Sequence, residues 1–279
     1  GIFLYLGFLI NFFYLNEDLR TNIYLIDLYF LSSIFFVALL DDKYNLNPII
    51  RLLFTIIIII FFIHKNNLFI NNLNSEIFGF YYFSEIELIK FLFPVFCMIV
   101  LINAYNFTDG INCLASLVGL SWFFYLFLKY PFLIDLYKIL TIFIIFFIIC
   151  NFLNKSFLGD SGNHIISTII GSIVITINQK LPNSIYVEEI LLLFLIPGID
   201  LIRLFFKRIL NKRNPLSGDL DHFHHILIKK FGLTKTLIAY LCLINLPLYI
   251  YLYFYPPLIF LIILNIAIYI LVIEKYSKI

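Results

Sequence analysis

The chain has 279 residues, 62% of them hydrophobic and only 13% charged, with a formal net charge of +2. Soluble domains carry about 25% charged residues, so a soluble globular fold cannot hide this much apolar surface, and the composition implies a polytopic membrane protein. The small net charge gives no reason to expect a nucleic-acid partner. Cys97, Cys113, Cys150 and Cys242 lie in or beside apolar runs without metal spacing, and read as buried thiols rather than disulfides.

In chain order, ten apolar segments stand out: 1–15, 23–40, 49–63, 88–105, 113–128, 137–153, 164–180, 187–206, 236–254 and 257–273. Their apolar character is continuous rather than alternating, which predicts helices and not strands. The expected fold is an all-α polytopic transmembrane bundle of about ten membrane-spanning helices, a single integral-membrane domain over 1–279. The chain opens at Gly1 inside an apolar run, without Met and without the n-region of a signal peptide. An incomplete N-terminus is therefore expected.

The connecting segments alternate between two sides. One set is 41–48, 106–112, 154–163, 207–235 and the tail 274–279. The other is 16–22, 64–87, 129–136, 181–186 and the Pro256-Pro257 turn. Thirteen of the 19 Lys and Arg, from Lys43 to Lys278, belong to the first set, and the positive-inside rule assigns that set to the cytoplasm. Four polar clusters fall on this side. They are Asp41-Asp42-Lys43, the run Asn103, Asn106, Asp109 and Asn112, then Gly159-Asp160-Ser161-Gly162, and Asp219 to His225.

Each cluster has a plain reading beside a chemical one. Asp41-Asp42 could mark a solvated loop, yet adjacent carboxylates repel unless cations neutralise them, which suits a metal–diphosphate site. A prenyl-diphosphate synthase would place a third Asp at position 45, where Asn stands. Gly159-Asp160-Ser161-Gly162 either caps a helix or holds a phosphate–metal complex with its amides. A serine-protease reading of it lacks the β-barrel context. His222, His224 and His225 lack Cys partners and zinc spacing, and in a Lys- and Arg-rich loop they suit a nucleotide phosphate. His164 is left open. Asp200 and Arg203, three residues apart on one helix face, read as a structural pair. The glycosylation patterns at Asn106 and Asn154 are discounted on the cytoplasmic side.

In motif order these residues resemble the polyprenyl-phosphate N-acetylhexosamine-1-phosphate transferases, a glycosyltransferase 4 type family. The match runs through Asp41-Asp42 with Pro48 and Arg51, Asn103-Ala-x-Asn-x-x-Asp-Gly-x-Asn-x-Leu-Ala115, Phe157-Leu158-Gly159-Asp160 and His222-x-His224-His225, and so covers nearly the whole chain. The resemblance implies transfer of a sugar 1-phosphate from a UDP-N-acetylhexosamine, such as UDP-N-acetylglucosamine, to undecaprenyl phosphate, with release of UMP. It implies Mg²⁺, with Mn²⁺ as a substitute, and a multi-pass protein of the bacterial inner membrane. It makes Asp160 the main metal ligand and Asn106 a second. Asp41, Asp42 and Asp109 take catalytic roles, and Lys43, Asn103, Asn112, His222, His224 and His225 bind substrate. A homodimer is left open.

Departures narrow the branch. Asn112 stands where the family's second Asp is usual, Cys113 where Gly is usual, and Asn163-His164 follow Asp160 in place of the common Ser. With His-Phe-His-His, these lean toward the enzymes that start O-antigen, common-antigen or teichoic-type glycans. The peptidoglycan branch, which uses UDP-N-acetylmuramoyl-pentapeptide, is the alternative. Gly1 looks like the end of the family's Gly-rich loop, which implies one further N-terminal helix. A transporter or flippase, the reading from another class, would place its ionisable groups near the membrane midplane, where only Asp200 approaches.

Overall fold

The computed structural model describes residues 1–14, 28–82, 87–181, 183–214 and 221–276. Parts of the predicted second segment, the 16–22 loop, Asp219 and Lys278 lie outside them. Among the described residues there are ten α-helices. They are α1 (Ile2–Tyr14), α2 (Leu28–Tyr44), α3 (Pro48–Lys65), α4 (Glu87–Asn106), α5 (Leu114–Lys129), α6 (Ile134–Phe152), α7 (Gly159–Lys180), α8 (Val187–Leu210), α9 (Phe223–Phe254) and α10 (Leu258–Tyr276). Four of them, α3, α4, α9 and α10, are long and apolar enough to cross a membrane by length and composition. α5 and the Leu140–Phe152 part of α6 are shorter apolar helices.

The all-α expectation needs one correction. The 64–87 segment holds a two-stranded antiparallel hairpin, β1 (Asn72–Ser75) and β2 (Gly79–Tyr82), with Asn72 opposite Tyr82 and Ser75 opposite Gly79. Its turn has a local cause: Gly79 takes φ +67, and the Ser75 Oγ accepts from the Ile77 and Phe78 amides.

α7 is the axis of the bundle. It packs on α1, α2, α4 and α5, and every residue from Ser161 to Asn178 is buried. That segment is rich in Ser, Thr and Asn, and the helix satisfies part of this polarity itself: Ser167 donates to the Asn163 carbonyl and Thr176 to the Ser172 carbonyl. Around it, Tyr105, Trp122, Phe123 and Tyr125 from α4 and α5 form a solid aromatic core with Phe223 and Tyr240 of α9. A second cluster joins Phe30 and Ile34 of α2 to Phe62 and Met98.

The helices run further into polar sequence than the apolar segments do. α2 carries Asp41 and Asp42 on its last turn, and α7 starts at Gly159 rather than 164. α9 starts at Phe223 rather than 236, so His224 and His225 stand in its first turn and not in a loop. Gly232, at φ 73 and ψ 174, breaks α9 between that polar start and its apolar body. α3 begins as its sequence dictates, with Pro48 in the first turn and the Asn47 side chain accepting from the Ile49 amide at 2.9 Å.

Candidate active site

α2 ends, α3 begins, α4 ends and α7 begins at one end of the bundle, and this brings three polar clusters together. Arg51, one turn into α3, places a single Nη1 between two carboxylates. It donates to Asp41 Oδ2 at 2.5 Å and to Asp160 Oδ2. The other Asp41 oxygen accepts from the Leu46 amide at 2.8 Å. Asp42 turns to the start of α7, where it accepts from the amides of Asp160 (2.8 Å) and Ser161 (3.1 Å) and from the Ser161 hydroxyl (2.6 Å). Asp42 is thus the N-cap of a helix to which it does not belong. The amides that the sequence reading offered to a phosphate are already taken. Gly159 permits this approach: its φ is +69, and a Cβ there would lie 2.9 Å from Asp42 Oδ2.

The charges explain the titration. Burial and the hydrogen bond shared with Asp41 push Asp160 up to about 7. Burial would raise Asp41 too, but its hydrogen bonds to Asp160, Arg51 and the Leu46 amide hold it below the usual carboxylate range. Two carboxylates on one guanidinium, with Asp42 close by on the start of α7, leave surplus negative charge.

The second cluster joins the first through α7. Asn163 Nδ2 donates to Asn106 Oδ1 at 3.0 Å and to Asp109 Oδ2 at 2.9 Å. Burial raises the Asp109 carboxyl above its ordinary range, against the pull of Asn163 and of the Gly159 amide. The third cluster meets the second at Gly110, where any side-chain carbon would overlap His224 Nε2. His222 and His224 stack with centroids 5.5 Å apart, and His225 lies 4.3 Å from His224. The Phe107 ring stands 5.1 Å from His222 and carries the Arg208 guanidinium at 5.6 Å.

His222 is held from behind. Asp200, buried in α8, pairs through Oδ2 with His222 Nδ1 at 3.0 Å and accepts there from the Phe223 amide. Its Oδ1 accepts from Arg203 Nη2 at 2.7 Å and from the Tyr269 hydroxyl at 2.6 Å. The Asp200–Arg203 pair read from sequence is present, and it also fixes the His cluster.

The remaining candidates stand apart. Lys43 is exposed, its ammonium 5.0 Å from the Tyr44 ring. Asn103 donates back to the Ile99 carbonyl within α4. Asn112 donates to Asn154 Oδ1 at 2.5 Å and so ties two loops together. Beside it Cys113 takes φ 67, with its amide held by Asn151. From sequence Asn163 stood out only as a departure from the family pattern and Arg51 only as a companion of the Asp pair, and the anchoring role of Asp200 was missed. Two signals were present: an Asn facing an Asp-rich run from one turn inside the next helix, and a lone carboxylate within an apolar segment.

Buried polar atoms without partners mark where a ligand would be satisfied. Asn163 Oδ1 and His224 Nε2 are two of them. Among the described residues no three His, Cys, Asp or Glu side chains meet around one point. Two carboxylate oxygens do share one cationic partner, and hard oxygens with surplus charge fit Mg²⁺, which takes one or two carboxylates and leaves other positions to water and phosphate. Asn106 stands with Asp109, its oxygen turned to Asn163. An apolar cavity of about 380 Å³ lies between α4, α7 and α8, and its lining reaches Ala104, two residues before Asn106. Met98, Leu101 and Ala104 line it on one side, Gly171 and Val174 behind, and Phe194 and Gly198 opposite.

A family model described as Glycosyl transferase family 4 matches residues 24–178. That stretch carries Asp41 to Asp160 and stops before Asp200 and the His cluster. The chain is similar to an undecaprenyl-phosphate alpha-N-acetylglucosaminyl 1-phosphate transferase of Thermotoga maritima, 28% identical over 213 residues that cover 75% of this chain and 64% of the relative. It is similar to the protein of that description from Escherichia coli O157:H7, 25% identical over 210 residues, 70% of this chain and 55% of the relative. The matched part of the chain therefore spans between about half and two thirds of the length of these relatives.

Proposed function

The chain belongs to glycosyl transferase family 4, and on that premise we propose that it transfers an N-acetylhexosamine 1-phosphate from a UDP-sugar to undecaprenyl phosphate at a bacterial inner membrane. The relatives' descriptions name N-acetylglucosaminyl 1-phosphate as the transferred group, which UDP-N-acetylglucosamine would supply. One observation carries the reading. The carboxylates around Arg51, the Asn106–Asp109 turn and the His cluster meet at one end of the bundle, beside an apolar groove. A lipid phosphate acceptor needs both features at once: a polar site for two phosphate-bearing groups and an apolar surface for its chain.

A phosphate monoester is largely ionised near neutral pH, its second pKa being about 6. The site's work is therefore placement and charge compensation more than proton abstraction. A phosphate oxygen of the lipid attacks the phosphorus that carries the sugar, the bond to the UMP oxygen breaks, and UMP leaves with the electron pair. Asp160, with Asp41 opposite it, would hold Mg²⁺, which offsets the repulsion between the two phosphates. Arg51 keeps these carboxylates close. Asp42 fixes the start of α7, and so the direction of Asp160. Asn163 holds Asn106 and Asp109 toward the same space, and His224 and His225 receive the sugar-nucleotide phosphates across Gly110. The groove takes the first isoprene units of the acceptor. The product starts a lipid-linked envelope glycan in the cytoplasmic leaflet.

A panel of donors tests this. Membranes carrying the protein, given Mg²⁺ and undecaprenyl phosphate, should release UMP from UDP-N-acetylglucosamine and not from UDP-N-acetylmuramoyl-pentapeptide. Release from the second donor alone would move the protein to the peptidoglycan branch. No UMP from any UDP-N-acetylhexosamine would overturn the transferase reading.

A further inference from the structure

The hairpin lies at the opposite end of the bundle from the carboxylates, between the end of α3 and the start of α4. It is pinned to the fold. Glu188 at the start of α8 accepts from the Ser75 hydroxyl and, at 3.0 Å, from the Glu76 amide. Glu76 in turn caps α10 by accepting from the Leu258 amide at 2.6 Å, and Asn74 donates to the Asn183 carbonyl. These inward bonds occupy the hairpin's own carboxylate. What it turns outward is aromatic: Phe78 is 85% exposed and Tyr82 63%, with Ile77, Phe80 and Tyr81 exposed around them. Phe80 and Tyr82 stack at 6.2 Å.

This is a poor surface to leave in water, since a pinned hairpin cannot fold its rings away. Two observations say what covers it. The first is continuity. The exposed faces of α3 and α4 are Ile, Leu and Phe, with Ile57, Phe61, Leu92 and Phe96 among them, and both helices have the length and composition of membrane spans. The hairpin prolongs that face just where Tyr and Asn join the apolar residues. The Glu76–Leu258 bond sets the exposed Tyr253, Phe254 and Tyr255 turn at the same level. Tyr29 lies at this end too, under the Lys65 ammonium at 5.1 Å. The second is charge. Lys65 and Lys180 are exposed here, as are Glu87 and Glu76, the latter with one carboxylate oxygen taken by the Leu258 amide, while Glu188 and Glu189 are buried.

Rings with one apolar body and one polar edge, flanked by ammonium groups, fit the headgroup layer of a bilayer better than either its core or bulk water. We propose that the Asn72–Tyr82 hairpin is a membrane-interface anchor. It seats Phe78, Tyr81 and Tyr82 among phospholipid headgroups on the far side from the carboxylate site, and through Glu188 and Glu76 it holds the starts of α8 and α10 at a fixed depth. α8 carries Asp200, so the depth of the hairpin is passed to the His cluster.

The experiment is a depth measurement. Phe78→Trp in the otherwise unaltered protein is placed in nanodiscs of phosphatidylcholine and phosphatidylglycerol whose acyl chains carry bromine near the headgroup or near the bilayer centre. Trp122, the chain's only tryptophan and fully buried, supplies a background read from the unaltered protein. Ile57→Trp, in the middle of α3, is the deep reference. The added Phe78→Trp emission should be blue-shifted from that of tryptophan in water and lose more intensity to the shallow bromines, with the reverse order for Ile57→Trp. Emission as in water, quenched by acrylamide and indifferent to lipid bromine, would overturn the proposal. So would protection that appears only in discs holding two copies, which would make the occupant a second protomer.

Discussion

Arg51 shows how much of the site depends on single contacts. One guanidinium nitrogen stands between Asp41 and Asp160, whose carboxylates would otherwise repel. Gly110 is the other pivot, the place where the Asp109 turn meets His224 without room for a side chain. Gly110→Ala should lower turnover about 10–100-fold by displacing His224 from the turn. Because the added Cβ would press on the buried His224, the thermal midpoint should fall as well, and steady-state rates taken below that midpoint, beside a melt, check both parts. Asp200→Asn keeps the shape but removes the charge shared by His222, Arg203 and Tyr269. It should destabilise the protein by about 3–5 kcal/mol, measured as a lowered thermal midpoint in detergent. At this scale the sequence singled out the candidate residues, because Asp, Asn and His are conspicuous in an apolar chain. It did not show who meets whom. Asn163 bridges Asn106 and Asp109 from 57 and 54 positions away, and no local pattern encodes that distance.

Between elements, the decisive contacts are helix ends satisfied from elsewhere. α7 begins at Gly159 because Asp42 of α2 caps it, with no help from the side chain of its own N-cap position, Leu158. Asp42→Ala should cost about 1–2 kcal/mol of stability and fray the turn that bears Asp160, seen as faster amide exchange at residues 160–162. Where α4, α5 and α7 touch, Gly119 leaves space for the Tyr105 hydroxyl and Ile166, which an added Cβ would approach to 2.5 and 2.6 Å. Gly119→Ala should therefore destabilise by about 1–3 kcal/mol through overpacking, read from the same melt. The apolar runs located the ten helices of the described residues, since burial and lipid contact both demand continuous apolar residues. They misplaced several ends, because a cap supplied by another helix leaves no mark beside the boundary. The hairpin escaped for a different reason: four-residue strands with Asn72 and Asn74 in them have neither the length nor the alternation that marks a sheet.

For the whole molecule, the arrangement is polar chemistry at one end, an apolar groove beside it and an aromatic rim at the other. Counting spans sorted the clusters onto one side before any contact was known, and the contacts bring Asp41, Asp160, Asp109 and His224 into one neighbourhood. A consequence follows for the protein in sealed vesicles. Phe157→Cys at the site end and Asn71→Cys beside the hairpin, both exposed positions, should react with a membrane-impermeant maleimide from opposite sides, over the background of the four native cysteines. Labelling of both from one side would refute the two-ended arrangement. On the proposed function, the converged clusters form one transferring site. The most direct measurement compares UMP release from UDP-N-acetylglucosamine, with undecaprenyl phosphate and Mg²⁺, between the unaltered protein and Asp160→Asn, each with its thermal midpoint. UMP should come from the first, with at least about a 100-fold loss in the second and folding retained. A folded Asp160→Asn protein that still releases UMP at the original rate would contradict it.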